Sequence, residues 1–167
     1  MNRILALDQS SRENGWAVFT NNKLQEYGLI HLTDEDFGKR LVQLRKDIIS
    51  LIEKYDINVV AFEDIQLQSS VGNNVQTFKK LANVYGVVLE TAVELNKKII
   101  TIPSVTWKSK LKVKGRNRPA QKKDAQRYVL ENYNLKVAQD TVDAICIGTC
   151  ACMELKLVKD EGFNWTE

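Results

Sequence analysis

Arg3-Ile4-Leu5-Ala6-Leu7-Asp8-Gln9-Ser10-Ser11 is the stretch on which the fold turns. The apolar run Ile4 to Leu7 reads as a buried strand, and a carboxylate follows directly at its end. An ionised Asp in low dielectric is costly unless a cation or hydrogen-bond donors compensate it, so Asp8 needs partners from elsewhere in the chain. Three other acids stand at apolar edges: Glu63 after Val59-Val60-Ala61-Phe62, and Asp140 and Asp143 at the start of the last apolar segment. Carboxylates brought together resist joint ionisation, yet around hard divalent cations such as Mg2+ they become mutually stabilising. The four acids are therefore read as a metal site.

Outward from that strand the chain reads as a single domain, because 167 residues suffice for one buried core and no repeat, low-complexity run or linker interrupts them. Asn14-Gly15 between apolar runs predicts a hairpin turn, Trp16 to Phe19 a second strand, Asn21-Asn22 another turn, and Leu24 to about His31 a third strand. Phe37, Leu41, Leu44, Ile48, Leu51 and Tyr55 recur at helical spacing, with Thr33 or Asp34 expected as the cap. Asn58 to Phe62 reads as a fourth strand, laid beside the first by a right-handed crossover, with Glu63 at its end. Gln66 to Asn74 is polar and is expected to form a loop beside the acids.

A helix is predicted from about Val75 to Lys97, with Phe78, Leu81, Tyr85, Val88, Leu89, Ala92 and Leu95 inward. Val84, Val87 and Val93 widen its apolar face, which a second helix or a partner subunit would cover. Lys98 to Ile102 is a fifth strand stopped by Pro103. A short helix capped by Ser104, a basic loop from Lys112 to Pro119, a helix from Ala120 to Tyr133 and a last helix from about Gln139 to Leu157 complete the order. The class is α/β: a mixed five-stranded sheet, three strands antiparallel and then two parallel, flanked by helices.

Asp140 and Asp143 lie three apart and share one face of the last helix, where acids also suit the helix dipole with no site at all. Cys146, Cys150 and Cys152 are close neighbours on that helix, so they read as free core thiols and not as a disulfide or a zinc set. From Lys108 to Lys123 there are eight basic residues and no acid, while the remaining sixteen Lys and Arg against all 21 acids leave the rest at −5. Such a concentration is either the footprint of a polyanion or a solvated basic loop. No apolar run approaches the roughly 20 residues that span a bilayer, and no signal-peptide pattern opens the chain, so a cytoplasmic protein is expected.

LALDQS around Asp8, AFED around Glu63 and the late QDTVDAICIG around Asp140 and Asp143 resemble the acidic signatures of the RuvC-type Holliday-junction resolvases of the ribonuclease H-like nuclease group. The likeness runs over nearly the whole chain, and its small, divergent form resembles bacteriophage members. It implies a ribonuclease H-like fold and a metal-dependent endonuclease that makes paired nicks in four-way DNA junctions and other branched DNA. It further implies two Mg2+ ions, replaceable by Mn2+, held by Asp8, Glu63, Asp140 and Asp143, with Lys122 and Lys108 assisting at the scissile phosphate, and a homodimer. Lys123 could replace Lys122 by one position. Lys79, Lys80, Lys110, Lys112, Lys114, Arg116 and Arg118 join these lysines as expected DNA contacts. Where the family often carries an aromatic residue three positions after the second acid, this chain has Gln66.

Trp107 is expected to pack in the core or stack on a base, and His31 to be a strand-end residue. Other readings of the same residues are a ribonuclease H acting on RNA:DNA hybrids and a branched-DNA-binding protein whose acids only cap elements. An actin-like kinase or ATPase also begins with an Asp-terminated strand, but it needs two related domains and a glycine-rich phosphate segment that this chain lacks.

Overall fold

The computed structural model describes residues 1–65 and 75–160; the expected loop from Gln66 to Asn74 lies outside the described residues. The elements run β1 (Arg3–Asp8), β2 (Glu13–Thr20), β3 (Lys23–His31), α1 (Phe37–Lys54), β4 (Val59–Asp64), α2 (Val75–Glu94), β5 (Lys98–Pro103), α3 (Ser104–Lys110), α4 (Arg118–Tyr133) and α5 (Gln139–Asp160). The strands form one sheet in the order β3-β2-β1-β4-β5. The β1–β2 and β2–β3 pairs are antiparallel, and β1–β4 and β4–β5 are parallel. This is the mixed sheet expected from the sequence, with β1 at its centre.

Period-two alternation sends successive strand residues to opposite faces, and both faces are covered. Ile4, Ala6, Ala17, Phe19, Val59 and Ala61 face α5 and the elements beside it, where Val142, Ile145, Ile147 and Trp107 are buried. Leu5, Leu7, Val18, Val60 and Phe62 face α1 and α2, meeting Leu44, Ile48, Ile52, Val84, Val88 and Ala92. Each fully buried aliphatic side chain contributes roughly 1.5–3 kcal/mol of transfer free energy. Helix α5 is apolar nearly all round because it lies between the sheet and α3 and α4, the burial that such a composition requires. Its three cysteines are buried free thiols, and burial pushes Cys150 up to about 11 and Cys152 up to about 12.

Several local expectations are corrected. Asn14 and Gly15 do not turn the chain; they are inside β2, and the turn falls at residues 9–12. Asn14 is fully buried, with its Oδ1 accepting from Ser10 N at 2.7 Å, so it braces the turn from within the strand. Gly15 is demanded by packing, because a Cβ there would lie 1.8 Å from the carbonyl oxygen of Asp140. Asn21 and Asn22 do turn the chain, both at positive φ, as a two-residue hairpin of this twist requires. Asp36, and neither Thr33 nor Asp34, caps α1 by accepting from Lys39 N at 2.8 Å, while Asp34 accepts from Asp36 N. Ser104 makes no side-chain cap. Val84 lies at the centre of the buried face of α2, whereas Val93 is 59% exposed.

The basic segment is anchored. Leu111 and Val113 are buried, Val113 N donates to Lys108 O at 2.8 Å, and Lys114 N donates to Asp124 Oδ2 at 3.1 Å. Asn117 caps α4 through Ala120 N at 3.0 Å, so Arg118 and Pro119 belong to the helix and not to the loop. Among the described residues no helix is long and apolar enough to cross a membrane.

Candidate active site

The acids meet because two alternations and one helix end coincide. Asp8 continues the face of Ile4 and Ala6, and Glu63 continues that of Val59 and Ala61, so both end neighbouring parallel strands on the side that carries α5. Helix α5 begins at the same end, since Gly15, the partner of Asp8 in the β1–β2 register, abuts the Asp140 backbone. Thr141 Oγ1 donates to Gly28 O at 3.2 Å and ties the first turn of α5 to the sheet. Further along, Gly148 lets the helix approach the Phe19 ring and Ala6, where a Cβ would lie 2.3 Å from the ring. Asp140 and Asp143 are thereby turned toward the strand ends.

Each carboxyl is half-buried, and each is harder to ionise than an ordinary one. Asp8 is raised well above the usual range, first by burial and then by the charges of Asp143, Glu63 and Asp140, with Arg118 opposing. Burial also leads for Asp143, which is pushed up to about 6 although Gln139 Nε2 donates to its Oδ1 at 2.8 Å; Glu63 and Asp140 add to the rise. Glu63 is raised by burial against the pull of the Trp107 hydrogen bond, Lys108 and Arg118. Asp140 is raised by burial and then by Glu13, with Lys122 opposing.

The donor set is all oxygen, the kind that suits hard divalent cations. Among the described residues no three acidic, histidine or cysteine side chains stand close enough together to hold an ion as they are. The residues suit such a cation in donor chemistry, and the charges of Asp143, Glu63 and Asp140 all act on Asp8.

Several supporting contacts had no counterpart in the sequence reading. Gln9 clamps the ends of β1 and β4, donating through Nε2 to Glu63 O at 2.6 Å and accepting from Glu63 N at 3.3 Å. Trp107 is buried, as expected, but its Nε1 also donates to Glu63 Oε2 at 2.9 Å, which orients that carboxyl. Glu13 is a fifth acid at the rim, and its charge acts on Asp140. Its place on the face of Gly15, Ala17 and Phe19 is visible only once Asn14-Gly15 is read as strand.

Of the expected cations, Lys108 acts on Glu63 and Asp143 and stands 5.4 Å from the Trp107 ring centroid. Lys122 acts on Asp140. Arg118, expected only as a DNA contact, acts on both Asp8 and Glu63. Lys110 is paired with Glu154 at 3.1 Å and is tied to α5. Lys112, Lys114 and Arg116 are exposed on the anchored loop, Lys123 on α4, and Lys79 and Lys80 on α2.

The family model described as crossover junction endodeoxyribonuclease RuvC matches residues 4–151. The RuvC of Citrifermentans bemidjiense is 28% identical over 157 residues, covering 88% of this chain and 90% of that protein. The RuvC of Ehrlichia canis is 24% identical over 154 residues, covering 88% and 94%. In fold, the chain is similar to Thermus thermophilus RuvC solved with a Holliday junction substrate, with a TM-score of 0.76 at 15% identity over 94% of this chain and 96% of that one. The yeast mitochondrial Holliday junction resolvase Ydc2 gives a TM-score of 0.62 at 16% identity over 95% of this chain and 81% of that one. With the family model spanning β1 through most of α5, where all four acids reside, the chain belongs to the RuvC family of crossover junction endodeoxyribonucleases.

Proposed function

We propose that this chain is a divalent-cation-dependent endonuclease that cuts four-way DNA junctions by phosphodiester hydrolysis. The observation that carries the reading is the gathering of Asp8, Glu63, Asp140 and Asp143 at one end of the sheet, each harder to ionise than an ordinary carboxyl. Asp8, Glu63, Asp140 and Asp143 would hold Mg2+ or Mn2+, two ions per site, which when bound would activate water and offset the charge on the departing 3′ oxygen. Asp8, on which the charges of the other three acids act, would be the central ligand; Glu63 and Asp143 are presented by Trp107 and Gln139. Lys108, Lys122 and Arg118 bind the scissile phosphate and offset the charge that grows on it. Lys112, Lys114, Arg116 and Lys123, with Lys79 and Lys80 at the start of α2, hold flanking phosphates and set the position of the branch.

A homodimer gives two equivalent sites for paired cuts in a junction of approximate two-fold symmetry. Sedimentation at working concentration should show a dimer; a monomer that makes paired cuts would refute this part.

The test is incubation with a synthetic four-way junction, a Y-fork, linear duplex and an RNA:DNA hybrid, with Mg2+, Mn2+ or chelator. Paired, cation-dependent nicks in the junction support the reading. Preferential cutting of the hybrid would make the protein a ribonuclease H, and junction binding without cutting would make it a structure-selective binder.

A further inference from the structure

Glu13 lies outside the four acids marked by the sequence motifs, yet the fold delivers it to them. Glu13, Gly15, Ala17 and Phe19 alternate along β2 on the face that carries α5, and Gly15 abuts the backbone of Asp140. Glu13, one pleat beyond, therefore stands over the first turn of α5, and its negative charge acts on the Asp140 carboxyl. On its other side, His31 is its direct partner across the β2–β3 register, with Nδ1 3.2 Å from Glu13 Oε1. Ser10 Oγ donates to the Glu13 carbonyl and fixes the backbone there. A carboxylate set against another carboxylate stabilises nothing by itself. Its use arises when Asp140 holds a cation, because a further negative charge close by adds attraction for it.

We infer that Glu13 tunes the cation site from the β2 side: its negative charge, set beside Asp140, adds to those of the four acids, and His31 holds it in place. The inference rests on the proposed cation site and names the residue that tunes its affinity. Outer groups of this kind contribute roughly 10–100-fold to cation affinity, and a half-exposed one belongs near the lower end, about 10-fold.

The test is calorimetric titration of the intact protein with Ca2+, free of DNA, for wild type, Glu13→Gln, His31→Ala and Asp8→Asn. Glu13→Gln should weaken Ca2+ binding about 10-fold and His31→Ala by less, in the same direction, with the thermal midpoint of neither falling. In junction cleavage, the Mg2+ concentration for half-maximal rate should rise by a similar factor in Glu13→Gln, and added Mg2+ should recover the lost rate. Unchanged Ca2+ affinity in Glu13→Gln, or a loss of rate that Mg2+ does not recover, overturns the inference. If Asp8→Asn also binds Ca2+ like wild type, the cation site itself is wrong; if Asp8→Asn weakens binding and Glu13→Gln does not, only the role of Glu13 is lost.

Discussion

Replacing Asp143 by Asn should make the protein more stable and less active, and the structure gives the size of the first effect. The Asp143 carboxyl is raised from 3.8 to about 6, chiefly by burial and with help from Glu63 and Asp140. At about 1.4 kcal/mol per unit, keeping this group ionised in the folded chain costs about 3 kcal/mol. The folded state binds the proton more tightly than the unfolded one. The contribution to stability is therefore full below about pH 3.8 and is lost as pH rises through about 6. Asn keeps the acceptor for Gln139 Nε2 and carries no charge. At pH 8 the variant should be more stable by about 1–3 kcal/mol, which for a chain of this size raises the thermal midpoint by roughly 3–10 °C. Near pH 4 the gap should close, because the wild-type group is then neutral in the folded state. Thermal unfolding followed by circular dichroism at both pH values, with and without Mg2+, reads all of this; Mg2+ should lift wild type and leave the variant nearly still. A variant that is less stable at pH 8, or a gap of equal size at both pH values, would refute the reasoning.

Gly15→Ala places a Cβ 1.8 Å from a backbone carbonyl that cannot turn aside, so urea unfolding should show a loss of about 3 kcal/mol or more. Trp107→Phe keeps most of the packing but removes the indole N–H from Glu63. The cost should be about 1–3 kcal/mol, and because that bond holds the Glu63 carboxyl down, the acid limb of the pH–rate profile should move to higher pH. Replacing Lys112, Lys114 and Arg116 together by Ala should reduce the slope of log affinity against log salt by about 3 in junction-binding titrations. An unchanged slope would remove the loop from the DNA-binding surface.

Much of the fold was legible because its signals are local. The apolar runs ending in Asp8 and Glu63 can only be central strands, and the 3.6-residue stripe of α1 has one reading. The acids were legible for the related reason that charge at the end of a buried strand conflicts with its surroundings. What escaped was set by tertiary contact. Asn14-Gly15 has the composition of a turn, but Gly15 is there to admit the Asp140 backbone, a neighbour 125 positions away in the sequence. That misreading hid Glu13 as well, since its face is defined only by the strand that runs through it. Trp107 and Gln9 were invisible as supports of Glu63 because each contact joins elements far apart in the chain. The basic segment was legible as charge, but its anchoring by Leu111, Val113 and Asp124 depends on where α4 packs.

Catalysis by this site turns on whether the four acids share cations. Anomalous diffraction from crystals grown with Mn2+ would locate every bound ion in one experiment. Peaks are expected at the ends of β1 and β4, touching the carboxylate of Asp8 together with those of Glu63, Asp140 or Asp143. Peaks only elsewhere on the protein, with these four side chains free of metal at saturating Mn2+, would contradict this.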